Sequence, residues 1–240
     1  MVAMLMESSS LRAWKLYFPN PPYMATDDSW TAEWCCTKLI AHTNITSAKP
    51  VGTNEIELIL KEEREEPVRV ATMSRQLVTG SELDRVYTST EIEFIMNLPK
   101  AALFQRDALE MSELMGFGLG GLGDLYVAAA EGEFSSYLPK EFRFILRALR
   151  QHSSVTKVTR LNNRMLFVER FGGEGQRVLA LNEYDLTADA VRSGIEKFGT
   201  PDVILTSNPN CRPSSEAVAA ADSSGIAVFA IGELMSMLRK

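Results

Sequence analysis

Apolar residues along the chain keep two rhythms, and the rhythms follow the same order twice. In "KEFRFILRALR" (140–150), Phe142, Ile145, Leu146 and Leu149 fall on one face at helical spacing. "EIEFIMN" (91–97), "DVILTSN" (202–208) and "IAVFAI" (226–231) are short continuous apolar runs, as buried strands of a parallel sheet read. "NEIELILKEEREEPVRVATMS" (54–74) and "NRMLFVERFGGEGQRVLALNE" (163–183) each show two β-patterned runs joined by a polar turn.

Set side by side, the halves align as a series. "AEWCCTKLIAHTNIT" (32–46) parallels 140–156, and the two histidines of the chain, His42 and His152, each follow that helix. The hairpins 54–74 and 163–183 match. "VTGSEL" (78–83) matches "LTADAV" (186–191), both offering a helix N-cap, and 91–97 matches 202–208 with an asparagine at the same offset. "GFGLGGLGDL" (116–125) matches "GIAVFAIGEL" (225–234) without a gap, pairing Gly116 with Gly225, Gly123 with Gly232 and Asp124 with Glu233. The order and spacing of the matches, more than any single pair, point to an internal duplication.

The expected fold class is α/β: two tandem, similar α-β-β-β-α-β-α-β units. Each is a mixed central sheet flanked by helices, and the two pack as a pseudo-dimer. Residues 1–29, with "FPNPPY" at 18–23, read as an N-terminal arm. Unit one covers 30–130, a linker 131–139, and unit two 140–240.

The repeat changes the reading of the glycines. Gly116, Gly118 and Gly121 satisfy G-x-G-x-x-G, but a phosphate loop must follow a strand, and a helical run, 106–115, precedes them. Their alignment with 225–234 makes them part of a strand-to-helix passage, where glycine admits close packing against the other unit. No dinucleotide and no other cofactor is expected.

Of the 240 residues, 45% are hydrophobic and 23% charged, an ordinary globular composition. No apolar run reaches the length of a membrane span, and the first residues lack the basic start of a signal peptide, so a cytoplasmic protein without membrane contact is expected. Three cysteines, Cys35, Cys36 and Cys211, form neither a disulfide framework nor a C-x-x-C knuckle. Net charge is −6, yet residues 1–130 hold 11 Lys/Arg against 18 Asp/Glu, and residues 131–240 hold 14 against 13. The cations of the second half concentrate in one segment, with Lys140, Arg143, Arg147, Arg150, Arg160 and Arg164 as candidates for nucleic-acid or other anion contact. A solvated helix face is the ordinary meaning of such a run.

The element order of unit two resembles the restriction-endonuclease-like superfamily, its Mrr-type branch in particular. "DVILTSNPNCRPSSEAVAAADSSGIAVFAIGELMSML" (202–238) carries the best of the likeness: a strand ending in small polar residues, a Ser-started Ala-rich helix, a strand and a Gly-led helix. The resemblance implies an acid on the second strand and E-x-K on the third, holding a divalent cation and activating water. Unit two offers Glu169 on the second strand and, in "ALNEYD" (180–185) as the third, Glu183 and Asp185 without a lysine; "VATMSRQ" (70–76) in unit one has neither acid nor lysine. The expected function is therefore a non-catalytic, nuclease-related scaffold that binds nucleic acid or a protein partner through unit two. The alternatives are a metal-dependent nuclease using Glu169, Glu183 and Asp185 with Mg²⁺ or Mn²⁺, and a structural or assembly protein.

Three smaller features complete the reading. His42 and His152, near helix ends, have an ordinary role as carbonyl partners. Ser214 or Ser215 can cap the following helix and leave N–H groups for an anion. Arg212 beside Cys211 is placed to lower that thiol's pKa, with no partner base to make it a nucleophile.

Overall fold

The computed structural model describes residues 29–61, 64 and 66–239, so the arm expected over 1–29 lies, but for Ser29, outside the described residues. The chain divides into two compact units, 1–138 and 139–240.

Unit one begins with α1 (Ser29–Leu39), whose buried face is Ala32, Cys35, Cys36 and Leu39. The strands β1 (Ile45–Pro50), β2 (Glu55–Leu60) and β3 (Val68–Met73) follow as an antiparallel meander. The chain then makes two crossovers. The first passes through β4 (Leu77–Val78) and α2 (Gly80–Val86) to β5 (Ile92–Asn97). The second passes through β6 (Leu103–Phe104) and α3 (Arg106–Met115) to β7 (Gly118–Gly120), and α4 (Leu122–Glu131) closes the unit. The sheet order is β1-β2-β3-β5-β7, with β3, β5 and β7 parallel. Inner strands β3 and β5 are buried at nearly every position, as helices on both faces demand. One core layer joins α1 and α4 to the sheet through Leu39, Ile56, Phe94 and Leu125. The other joins α2 and α3 through Leu83, Ile95, Met111 and Phe117.

Unit two repeats this plan: α5 (Lys140–Arg150), β8 (Val155–Arg160), β9 (Met165–Arg170), β10 (Gly173–Leu181), β11 (Asp185–Leu186), α6 (Ala188–Phe198), β12 (Val203–Thr206), β13 (Arg212–Pro213), α7 (Ser215–Asp222), β14 (Ala227–Ala230) and α8 (Ile231–Leu238). Its sheet runs β8-β9-β10-β12-β14, with the same antiparallel and parallel pairings. Even the two-residue parallel pairs recur, β4 with β6 and β11 with β13, each bringing two helix starts side by side. The two similar units fit the expected duplication.

Local chemistry repeats with the topology. Thr79 caps α2 and Thr187 caps α6, each accepting from the N–H three residues on. Gly116 and Gly225 both take the left-handed conformation, φ 77° and 71°. The N–H of Gly121 donates to Asp124 Oδ2, and that of Ala230 to Glu233 Oε2, each at 2.8 Å. Both histidines accept on Nδ1 from the N–H two residues on. His42 then stacks on Tyr126 of α4 at 4.4 Å, and His152 Nε2 lies 3.0 Å from the Met235 carbonyl of α8, the equivalent position. Each histidine thus ties the first helix of its unit to the last.

Register corrects parts of the sequence alignment. Phe94 stands opposite Gly118 and Val203 opposite Ala227, so Asn97 corresponds to Thr206 and not to Asn208. The shared asparagine offset is coincidence. Asn97 clamps the N–H and carbonyl of Arg75, whereas Thr206 donates to the Phe229 carbonyl.

The segment expected as a linker belongs to unit one. Phe134 is 2% exposed in its core, and Tyr137 packs on Phe94 and donates to Asp124 Oδ1 at 2.7 Å. Gly118 of β7 makes room for this strap: a Cβ there would collide with the Phe134 carbonyl oxygen and stand 2.6 Å from Phe94 Cδ2, whereas one on Gly120 would meet the Asp124 side chain. Gly118→Ala is expected to destabilise the protein by about 1–3 kcal/mol. Gly123→Ala, in α4 with no atom within 4 Å of the new Cβ, is expected to stabilise it by up to about 1 kcal/mol. Denaturant midpoints of the two variants check the pair.

Candidate functional site at the carboxyl ends of the unit-two strands

Parallel strands gather their carboxyl ends at one edge of the sheet, where loops open and ligands bind in α/β proteins. In unit two this edge carries a polar cluster assembled from four elements. Asn182 follows β10 directly, and Ser207 follows β12, its N–H bonded to the Leu181 carbonyl at 3.0 Å. Arg164 precedes β9. Its turn is fixed by Asn162, whose Oδ1 accepts from the N–H groups of Arg164 (2.9 Å) and Met165 (2.7 Å), and whose amide donates to the Phe198 carbonyl at 3.0 Å. Glu141 stands in the first turn of α5, beside the buried Phe142 that docks the helix.

These side chains converge on one carboxylate. Arg164 Nη1 donates to Glu141 Oε1 at 2.8 Å and Oε2 at 2.9 Å. Asn182 Nδ2 donates to Oε2 at 3.0 Å, and Ser207 Oγ donates to Oε1. The Glu141 side chain is 13% exposed and that of Arg164 32%. The guanidiniums of Arg160 and Arg164 lie 5.5 and 5.8 Å from the centroid of the Phe142 ring, adding cation–π attraction. A carboxylate holding this many donors is a structural tie, and a metal ion would have to displace Arg164 to use it.

Unit one has uncharged residues at the four equivalent positions, and a charged pair at this edge in Arg75 with Glu82 at 2.6 Å. The Thr72 N–H meets the Asn54 carbonyl as that of Ala180 meets Arg164, and Leu98 meets Met73 as Ser207 meets Leu181. Thr31, Asn54, Ser74 and Leu98 therefore stand for Glu141, Arg164, Asn182 and Ser207. Thr31 and Thr72 share a buried 2.7 Å hydroxyl bond there.

The acids singled out in the sequence do not share one place. Glu169 lies opposite Lys157 and near the start of β10, since Val168 pairs with Gln176. Glu183 and Asp185 are exposed beyond the other end of β10, about 20 Å along an extended strand. An antiparallel neighbour can meet the end of β10 only through its own start, and that position holds Arg164. Among the described residues no three of His, Cys, Asp and Glu gather where a metal could be held.

The predicted cations separate into two groups. Arg160 and Arg164 are half-buried against Phe142, and Arg164 is neutralised by Glu141. Lys140, Arg147 and Arg150 are exposed on α5, with Arg143 half-buried between them. Among the described residues no ion pair engages Arg147 or Arg150.

The thiols are held protonated. Burial, with Cys36 close by, raises Cys35 to about 12. Cys36 is raised chiefly by burial. Cys211 departs from expectation: Arg212 lies over the Tyr184 ring at 5.7 Å, and the thiol is raised by burial and by Glu183 and Asp185, partly offset by a backbone bond to Leu186. At α7, Ser214 takes the Ala217 N–H at 3.1 Å. The carboxyl of Glu216 is held below its ordinary value by its own N–H and by Ser214 and Ser215, so the helix start carries an acid of its own.

Sequence reasoning missed Glu141, Asn182 and Ser207 as a set. The available signal was an acid in the first turn of an otherwise basic helix, aligned with a threonine in unit one. Set against protein-family models, curated proteins and solved structures, the chain matches none.

Glu141→Ala is expected to cost about 2 kcal/mol, because a charged acceptor is lost and three donors are stranded; the urea midpoint reads it. Native protein at pH 8 is expected to react with a thiol reagent at Cys35 only as fast as it unfolds, measured against labelling in denaturant.

Proposed function

We propose that this protein is a non-catalytic relative of restriction-endonuclease-like proteins that binds nucleic acid through the outer face of α5. The observation that carries the reading is what stands at the strand ends. The helix, hairpin, third strand and two crossovers keep the order for which the resemblance was drawn, in both units. The resemblance asks for an acid on the second strand and E-x-K on the third. Unit two has Arg164 at the start of β9, and β10 ends Leu179, Ala180, Leu181 before Asn182. Unit one has Asn54, and Ala71, Thr72, Met73 before Ser74. The carboxylate at this place, Glu141, is engaged by Arg164, Asn182 and Ser207. Water activation has no lysine in this position, and the carboxylate drawn into the cluster is already engaged.

Binding is supported by charge. Residues 131–240 are close to neutral overall, yet α5 turns Lys140, Arg147 and Arg150 outward. Arginines on an exposed helix face suit phosphate oxygens, and each phosphate neutralised releases counterions.

Binding to a labelled oligonucleotide, followed by anisotropy from 50 to 200 mM salt, is expected to weaken as salt rises. Arg147→Ala and Arg150→Ala are each expected to reduce the slope of log K against log salt by about 1. No strand scission is expected with Mg²⁺ or Mn²⁺. Cleavage that Glu183→Gln abolishes would replace this reading with that of a metal-dependent nuclease.

A further inference from the structure

The inner face of α5 is accounted for by packing; its outer face is not. With 3.6 residues per turn, Lys140, Phe144, Arg147 and Gln151 fall within about 60° of one another, opposite Phe142, Ile145, Leu146 and Leu149. Phe144 is 59% exposed in the middle of this stripe. A phenyl aimed at solvent between cations contributes nothing to the core. It offers a flat apolar surface within reach of phosphate-binding arginines.

Two further observations extend this. The position recurs: Leu39 and Leu149 precede equivalent turns at His42 and His152, so Trp34 of α1 corresponds to Phe144. Trp34 is 39% exposed and Trp30, one turn earlier, 51%. An outward aromatic thus sits at the same place in both units, with arginines beside it on α5 and Lys38 5.6 Å from the Trp34 ring on α1. The second observation is Phe171, 85% exposed at the tip of the β9–β10 hairpin. Its N–H donates to the Ser154 carbonyl at 2.9 Å, and Val155 pairs with Arg170, so the tip lies just past the carboxyl end of α5. Phe171 therefore lies beyond the carboxyl end of the helix that carries Phe144, Arg147 and Arg150.

We infer that this face takes single-stranded nucleic acid, with unpaired bases stacking on Phe144 and Phe171 and phosphates held by Arg147 and Arg150. Duplex bases are stacked on one another and offer no free face to a phenyl, whereas a single strand does, whatever its sequence. The inference rests on the reading of α5 as a nucleic-acid surface and adds the strandedness of the ligand.

The test compares a labelled 20-nucleotide thymidine strand with a duplex of the same length, by anisotropy at one fixed low salt concentration. The wild-type protein is expected to bind the single strand more tightly. Phe144→Ala is expected to weaken single-strand binding roughly tenfold and leave duplex binding within twofold. Phe144→Trp should retain the affinity, and the double variant with Phe171→Ala should lose more than Phe144→Ala alone. Arg147→Ala should weaken both ligands. Because Phe144 is exposed, thermal melts of its variants should match the wild type, and the affinities then report contact. Unchanged single-strand binding by Phe144→Ala, or tighter binding of duplex by the wild type, overturns the inference and leaves the nucleic-acid reading standing. No binding of either ligand by the wild type removes that reading and the inference together.

Discussion

Antiparallel pairing of the second strand with the third decides which residues of each unit can meet. The end of β10 lies beside the start of β9 and never beside its finish. The parallel crossovers add the end of β12, and α5 lays its first turn across the same edge. Any site at this edge must draw on positions near 141, 164, 182 and 207, however acids are distributed elsewhere. Glu169 lies outside by topology alone. Arg164, by contrast, is central although its charge is already spent.

Given one frame, the two copies have met its demands differently. Unit one fills the end of its sheet with a strap. Gly118 in β7 lets the Phe134 backbone approach, and Tyr137 is fastened to Asp124. Unit two carries Ala227 and Phe229 at the positions of Gly118 and Gly120, so its strand supplies bulk that unit one imports. The first helices diverge too: α1 packs with Ala32, Cys35 and Cys36 where α5 uses Phe142, Ile145 and Leu146. Where unit two has Glu141 bound to Arg164, unit one has the hydroxyl pair Thr31 and Thr72. Such differences are the normal outcome when a shared backbone is retained and side chains drift within the limits of packing.

Much of the architecture could be read from the chain because its signals are local and repeated. The helical face of 140–150, the apolar runs at 91–97 and 202–208, and the threonine caps at 79 and 187 each follow from a short window. What escaped depends on distance. The pairs β4–β6 and β11–β13 are two residues long and leave no periodic trace. The one- and two-residue shifts that separate Asn54 from Asn163 and Asn97 from Asn208 in register are invisible until strands pair. Glu141, Asn182 and Ser207 are ordinary residues whose meaning comes from convergence. Phe144 is the exception, since it visibly breaks the apolar face on which its neighbours lie.

The Glu141 network also bears on kinetics. Its carboxylate collects donors 23, 41 and 66 positions away along the chain. No early hairpin or helix can satisfy it, because α5, the β8–β9 turn, β10 and β12 must all be docked first. Interactions of that kind are usually absent from the folding transition state, and their strength is felt in the rate of opening rather than of closure. A network of that kind is expected to act as a latch on unit two, felt in its rate of unfolding; unit one joins its own strand ends to α2 by a different charged group, Arg75 with Glu82 at 2.6 Å.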